Sequence, residues 1–307
     1  MAAGWLAPRF LILYGFVLSG LFVHFRGKVR HRLLRQLTDH STLMAPYNTF
    51  IYFFSAVPSS PILKVSDFPE LALLRENWQV IRDEAYELFE RGYLRKAPKY
   101  NDLAFNSFFR SGWKRFYFKW YDDFLPSARA LCPRTVALLE RIPSINAAMF
   151  TLLAPRSHLV RHRDPFAGSL RYHLGLITPN SEKCRILIDG IPYHWRDAQD
   201  ILFDATYIHR ATNETDEVRI ILFCDVDRPL RGWFARGINH FVTRYLARAT
   251  STQNVPGEKV GFLNRGFEYA YQIRLLGKRL KAANRPVYYL VKFSLLGGLL
   301  YGLLVWL

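Results

Sequence analysis

Between residues 147 and 225 the chain breaks into seven short runs, apolar or alternating, at 147–153, 170–177, 185–188, 192–195, 200–203, 208–211 and 218–225. Pro, Gly, Asn and Asp lie between them. Such runs are too short for helices with a useful buried face, and their spacing suits successive antiparallel strands. Closing that many strands on one core gives a sandwich or barrel, here a jelly roll.

The chain ahead of this block has a different period. Leu71, Leu74, Trp78, Ile81, Ala85 and Leu88 recur in steps of three and four, which puts one stripe of a helix over 67–91 against a core. Asp67 can cap it, Pro69 suits its first turn, Glu70 has capping-box spacing and Gly92 can end it. Residues 127–141 form a second amphipathic helix with Leu131, Leu138 and Leu139 inward. Between the two, 99–123 is crowded with aromatics from Tyr100 to Tyr121 and reads as strands and loops at the edge of a site. They serve as core packing or as the wall of an apolar channel. The fold class is therefore α+β, a double-stranded β-helix (jelly roll) with flanking helices.

The ends of the chain are apolar, and the charge sits beside them. Residues 10–25 are nearly all apolar, and counting from Gly4 gives about the 20 residues that a helical span needs. Arg26, Lys28, Arg30, Arg32 and Arg35 follow at once. A second apolar stretch from Val287 to Leu307, broken only by Lys292, is preceded by Lys278, Arg279, Lys281 and Arg285. Much of the net charge of +17 thus forms collars beside two apolar segments, the pattern of a cytoplasmic membrane face meeting anionic lipid. A nucleic-acid binder would carry its basic stripe inside the folded domain. A signal peptide would carry its charge ahead of the apolar core. The expected layout is a transmembrane anchor over 1–25, a basic and aromatic juxtamembrane segment over 26–60, the jelly-roll domain over 61–240, a basic helical region over 241–285 and a second transmembrane helix over 286–307. Both termini then lie outside and the domain lies in the cytoplasm. The segment 47–54 (YNTFIYFF) is too short to span, and lies at the membrane interface or packs on the domain.

The chemistry concentrates in the strand block. His162 and Asp164 are two residues apart, so one strand end can present both to one ion. His209 follows 45 residues after Asp164. Two imidazoles and a carboxylate suit Fe(II) and leave coordination positions open. Cys132, Cys184 and Cys224 have no paired spacing, which argues against structural zinc and for a reducing compartment. Arg219 opens an otherwise apolar strand, where a buried guanidinium needs a partner such as a carboxylate held by two parallel N–H bonds. Arg171 and His173 share a strand face and either reach the other end of a small dicarboxylate or form a surface ion pair with Asp or Glu.

From about Thr151 to Asp227 the chain resembles the aspartyl/asparaginyl β-hydroxylase family of 2-oxoglutarate-dependent dioxygenases. His162, the run Leu170-Arg-Tyr-His-Leu-Gly-Leu176, the Phe203-Asp204…His209 turn and Arg219-Ile-Ile-Leu-Phe…Asp225 carry the likeness. It implies that His162 and His209 bind iron, that Arg171, His173 and Arg219 hold 2-oxoglutarate with Thr151 touching it, and that O₂ is the oxidant. Asp164 departs from the peptide-hydroxylating branch, which has Gly there, and restores the third ligand of a facial triad. A loop pairing of Asp164 with Arg163 is the plainer alternative. Over nearly its whole length the chain is similar to the membrane-bound lipid A 2-hydroxylases of Gram-negative bacteria, through the stretch from Val23 to Pro46 and His162-Arg-Asp-Pro-Phe-Ala-Gly168. That likeness implies hydroxylation at C2 of a secondary acyl chain of lipid A at the inner membrane. A membrane-tethered peptide hydroxylase and a non-catalytic adaptor with a jelly-roll binding domain are the competing expectations.

Overall fold

A computed structural model describes residues 8–95, 102, 105–121, 123–247, 249–250 and 252–306. The described strands are β1 (Ile62–Leu63), β2 (Trp113–Trp120), β3 (Ile145–Leu153), β4 (Ser157–His162), β5 (Ser169–Ile177), β6 (Cys184–Ile188), β7 (Ile191–His194), β8 (Asp200–Phe203), β9 (His209–Asn213) and β10 (Arg219–Asp227). They form a six-stranded sheet in the order β1-β8-β5-β10-β3-β2 and a four-stranded sheet in the order β4-β9-β6-β7. Every pairing in both sheets is antiparallel. From β3 onward the chain passes back and forth between the sheets, which is the winding of a double-stranded β-helix. All seven runs in the sequence become strands. The pattern did not single out β1 and β4, because two residues at an edge and a polar Ser-His-Leu-Val-Arg-His segment carry little apolar signal.

The larger sheet is covered on both faces. Its outer face, with Phe150, Tyr172, Leu174, Ile220 and Leu222, packs against Leu74, Ile81, Ala85, Leu88, Val136 and Leu139 of the helices. Its inner face, with Met149, Phe203, Ile221 and Phe223, packs against Ile186, Ile188 and Ala211 of the smaller sheet. Double coverage explains why nearly every residue of β5 and β10 is buried, as expected for a strand with no face left to water. At Gly175 a Cβ would lie 1.9 Å from the Arg196 carbonyl oxygen, so only glycine permits the loop after β7 to close on β5.

The helices differ in detail from the expected ones. The stretch over 67–91 is not continuous. Short 3₁₀ turns at Val65–Asp67 and Pro69–Leu71 lead into helices Ala72–Glu76 and Trp78–Glu90, with Asn77 (φ −104°, ψ 22°) breaking the ladder between them. Asp67 lies inside the first turn, and the expected capping box does not form. Asn77 turns its side-chain amide back to the Leu73 carbonyl at 2.8 Å, a local bond that competes with the helix. Gly92 does end the second helix, at φ +70°. The second expected helix is split into Pro126–Leu131 and Pro133–Glu140, because Pro133 offers no N–H and drives Cys132 out of helical geometry.

Among the described residues no helix is long and apolar enough to cross a membrane, so the two expected spans lack support in the fold. The first falls in an 18-residue helix, Pro8–Phe25, about 27 Å long at 1.5 Å per residue and short of the roughly 30 Å hydrocarbon core. Met1 to Ala7, which would extend it, lie outside the described residues. The second falls in Arg285–Trp306, whose apolar character is diluted by Arg285, Lys292, Gly297, Gly298 and Gly302; Leu307 and Tyr100 also lie outside the described residues. The 47–54 segment becomes part of helix Ala45–Phe54, with Asn48 and Ile51 buried and Phe53 exposed. Asn48 donates to the Pro165 carbonyl and accepts from the Ala167 N–H, which docks this helix on the loop that carries Asp164. Arg26 leaves the expected basic collar. It lies between the Tyr52 and Tyr207 rings and pairs with Asp204 at 2.6 Å, while Lys28, Arg30, Arg32 and Arg35 stay exposed.

Candidate active site

The strand period sorts the site from the core. On β5, Leu170, Tyr172, Leu174 and Leu176 turn out to the helices, so Arg171 and His173 turn in. On β10, Ile220, Leu222, Cys224 and Val226 turn out, and Arg219, Ile221, Phe223 and Asp225 turn in. Asp225 stands opposite Arg171 in the ladder and Phe223 opposite His173. Thr151 on β3 stands opposite Ile221. Across the interior, His162 at the end of β4 pairs with His209 at the start of β9. Thr151, His162, Asp164, Arg171, His173, His209 and Arg219 line one cavity between the sheets, so all seven residues singled out in the sequence meet there.

His162, Asp164 and His209 present one ligand atom each, all within 4.8 Å of one another. Nε2 of each histidine lies 4.0 Å from Asp164 Oδ1. The Nδ1 of His162 is 2.8 Å from the Val160 carbonyl, and that of His209 is 2.9 Å from the Tyr207 carbonyl. A carbonyl only accepts, so both Nδ1 atoms carry the proton and both Nε2 lone pairs face the gap. Burial, with His209 alongside, pushes the His162 imidazole down to about 3. Burial likewise lowers His209. Burial works to raise the Asp164 carboxyl, but the Arg171 guanidinium hydrogen-bonded to it overrides this and holds it below the ordinary carboxylate range. Two neutral imidazoles beside a carboxylate are the protonation states that a divalent cation requires. The donor set of His162, Asp164 and His209 fits a single Fe(II). Asp164 joins the triad rather than pairing with Arg163, whose Nη1 donates instead to the Val23 carbonyl.

Two guanidiniums flank the triad, with opposite surroundings. Arg171 donates from Nε to Asp225 at 2.7 Å and from Nη2 to Asp164 at 2.6 Å, with its plane 3.7 Å over the Phe223 ring. Tyr121 Oη donates to the other Asp225 oxygen at 2.8 Å. Arg171 is thus engaged by two internal carboxylates and fixes a ligand atom. Arg219 has no carboxylate partner among the described residues. Its Nε makes no hydrogen bond, its Nη1 reaches Thr151 Oγ1 only at 3.5 Å, and its plane lies 4.5 Å over Trp195. Burial pushes it down to about 10. His173 is buried with both ring nitrogens unbonded, and burial, followed by Arg171, holds it well below the usual imidazole range. An unpaired buried cation beside two free imidazole nitrogens is a cradle that an anionic ligand completes.

Sequence reasoning missed Asp225 and Tyr121 as parts of the site. The signal was available, since a carboxylate ending the apolar run of β10 needs a partner once buried. Finding that partner takes the β5–β10 register.

This fold and triad define a jelly-roll protein with a His-Asp-His cluster that could hold one metal ion beside an anion cradle. Residues 75–229 match the family model described as aspartyl/asparaginyl beta-hydroxylase, and the chain belongs to that family. An ornithine lipid ester-linked acyl 2-hydroxylase from Rhizobium tropici is 32% identical over 184 residues, covering 58% of this chain and 64% of that protein. Aspartate beta-hydroxylase domain-containing protein 2 from Homo sapiens is 26% identical over 208 residues, covering 64% of this chain and 54% of that protein. The chain therefore spans less than two thirds of the length of these relatives. A Pseudomonas putida prolyl-4-hydroxylase structure covers 50% of this chain and 88% of its own, at 15% identity and a TM-score of 0.33, too loose a match to bear on function.

Proposed function

We propose that this protein is an Fe(II)- and 2-oxoglutarate-dependent hydroxylase of a membrane-lipid acyl chain, acting at C2 of a secondary acyl chain of lipid A. The observation that carries the reading is Arg219, a buried guanidinium without a carboxylate next to a His-Asp-His triad. In this reading His162, Asp164 and His209 hold the iron. Arg219 clasps the far carboxylate of 2-oxoglutarate with two parallel N–H bonds, and His173 and Thr151 flank it. Arg171 acts through Asp164, holding one ligand oxygen in place. Bound iron with 2-oxoglutarate and O₂ supplies the oxidation that turns a C–H into C–OH, with succinate and CO₂ as coproducts. Phe105, Phe108 and Trp113 close the cavity beside His162 and exclude water from it.

The 32% identical acyl 2-hydroxylase supports a lipid over a peptide substrate, as does a triad completed by Asp164. A lipid substrate places the protein at a membrane surface. The reading keeps the inner membrane as that surface, with the terminal helices Pro8–Phe25 and Arg285–Trp306 as anchors, the termini in the periplasm and the exposed Lys28, Arg30, Arg32 and Arg35 toward anionic headgroups. Mass spectrometry of lipids from cells with and without the gene tests it. Lipid A carrying one added oxygen, lost with His162→Ala, is the expected result. An added oxygen on ornithine lipids instead would move the substrate. Unchanged lipids together with a hydroxylated peptide would overturn the lipid reading.

A further inference from the structure

A second cavity, of about 490 Å³, shares Phe105, Asp164 and Arg171 with the triad cavity and runs outward from it. That volume is within the usual range for a small-molecule site. Its wall is chiefly apolar, with Leu43, Trp120, Phe166, Val242 and Leu263 among the lining residues. The polar side chains that reach the wall are already committed. Arg171 ties Asp164 to Asp225, Tyr121 Oη donates to Asp225, Trp120 Nε1 donates to Thr250 Oγ1 at 2.9 Å, and His40 Nε2 lies 2.7 Å from the Arg163 carbonyl. Ser169 Oγ is 3.3 Å from Tyr121 Oη.

A peptide in this cavity would bring amide groups that need partners, and burying each one unpaired is costly. An alkyl chain brings none. Leu43 and Leu263 at the outer end are exposed, so the apolar wall continues to the surface, while the inner end is the metal-facing carboxylate. We infer that this cavity is the acyl channel: a single saturated chain of a membrane lipid lies along it, with its carboxyl-proximal carbons beside Asp164 and its tail toward Leu43, Val242 and Leu263. The assignment rests on the hydroxylase reading for its purpose and on the cavity alone for its ligand.

The test uses the full chain without iron or 2-oxoglutarate, and saturated fatty acids of increasing length that carry a terminal diazirine. Labelling at Leu43, Phe166 or Leu263 is expected, with Kd falling roughly fourfold per added methylene until the cavity is full. Val242→Trp and, separately, Leu263→Trp should weaken binding at least tenfold while leaving the melting temperature near that of the unaltered protein. Label confined to the outward-facing Trp233 and Phe234, or affinities within twofold in both variants, would overturn the channel. Succinate production from 2-oxoglutarate is read separately on the iron-loaded protein. Normal production with label elsewhere sinks the channel and spares the hydroxylase reading; channel labelling with no production does the reverse.

Discussion

Arg171 and Arg219 stand on the same inner face of the same sheet, and both are buried. One is closed by the protein's own carboxylates, Asp164 and Asp225; the other has no carboxylate partner among the described residues. Family likeness alone would assign both to the cosubstrate. The structure separates them by what each already holds. A guanidinium with two internal partners fixes geometry, whereas one left unpaired in a dry interior can still take an anionic ligand.

Removing each cation should therefore have opposite consequences. Arg171→Met leaves Asp164 and Asp225 buried together without a counter-charge. It should destabilise the metal-free protein by about 3–5 kcal/mol, measured by urea unfolding, and weaken iron binding roughly 10–100-fold because Asp164 is no longer held. Equal stability in this variant would end the distinction. Arg219→Leu removes a cation that has no internal partner, so metal-free stability should hold or rise. Cosubstrate binding should weaken by about 2–5 kcal/mol, and the rise in melting temperature that 2-oxoglutarate gives the iron-loaded protein should vanish.

Asp204 inverts the Arg171 arrangement, one carboxylate between two guanidiniums, Arg26 at 2.6 Å and Arg228 at 2.7 Å. Burial works to raise its carboxyl; Arg228 and then Arg26 override it and hold it far below the ordinary range. A depressed folded pKa contributes stability above the unfolded value, about 3.9, and that contribution is lost as pH falls through it toward the folded value. Acid unfolding should therefore steepen below about pH 4, and Asp204→Asn should start lower at neutral pH and follow a shallower acid limb. The smallest effect is expected at Tyr121→Phe, which deletes one hydrogen bond to Asp225. It should cost about 1 kcal/mol without altering 2-oxoglutarate affinity, which a paired melt and titration would check.

Much of this was legible in the sequence. The alternation around Leu170–Leu176 and Ile220–Phe223 marks strands, and the same alternation puts Arg171, His173 and Arg219 on one side. His162, Asp164 and His209 meet because the β4–β9 pairing brings their strand ends together, and their spacing already suggested it. The partner of Arg171 was not legible, since Asp225 lies 54 residues away and only the register sets the two opposite. The breaks at Asn77 and Pro133 were local, but the apolar stripe runs through both and masked them. Arg26 shows the limit of reading charge from position: a basic residue beside an apolar run was expected at a lipid surface, and Asp204 drew it inward.

Each triad histidine anchors its ring on the main-chain oxygen of the residue two before it, so the strand itself sets the ring's orientation. The same main-chain anchors would orient both rings for any divalent ion of similar size. Zinc or copper would then be received at least as readily as iron, following the general ranking of divalent ions. If iron is the working metal, as proposed, its loading would be a matter of which metal the surrounding cell offers.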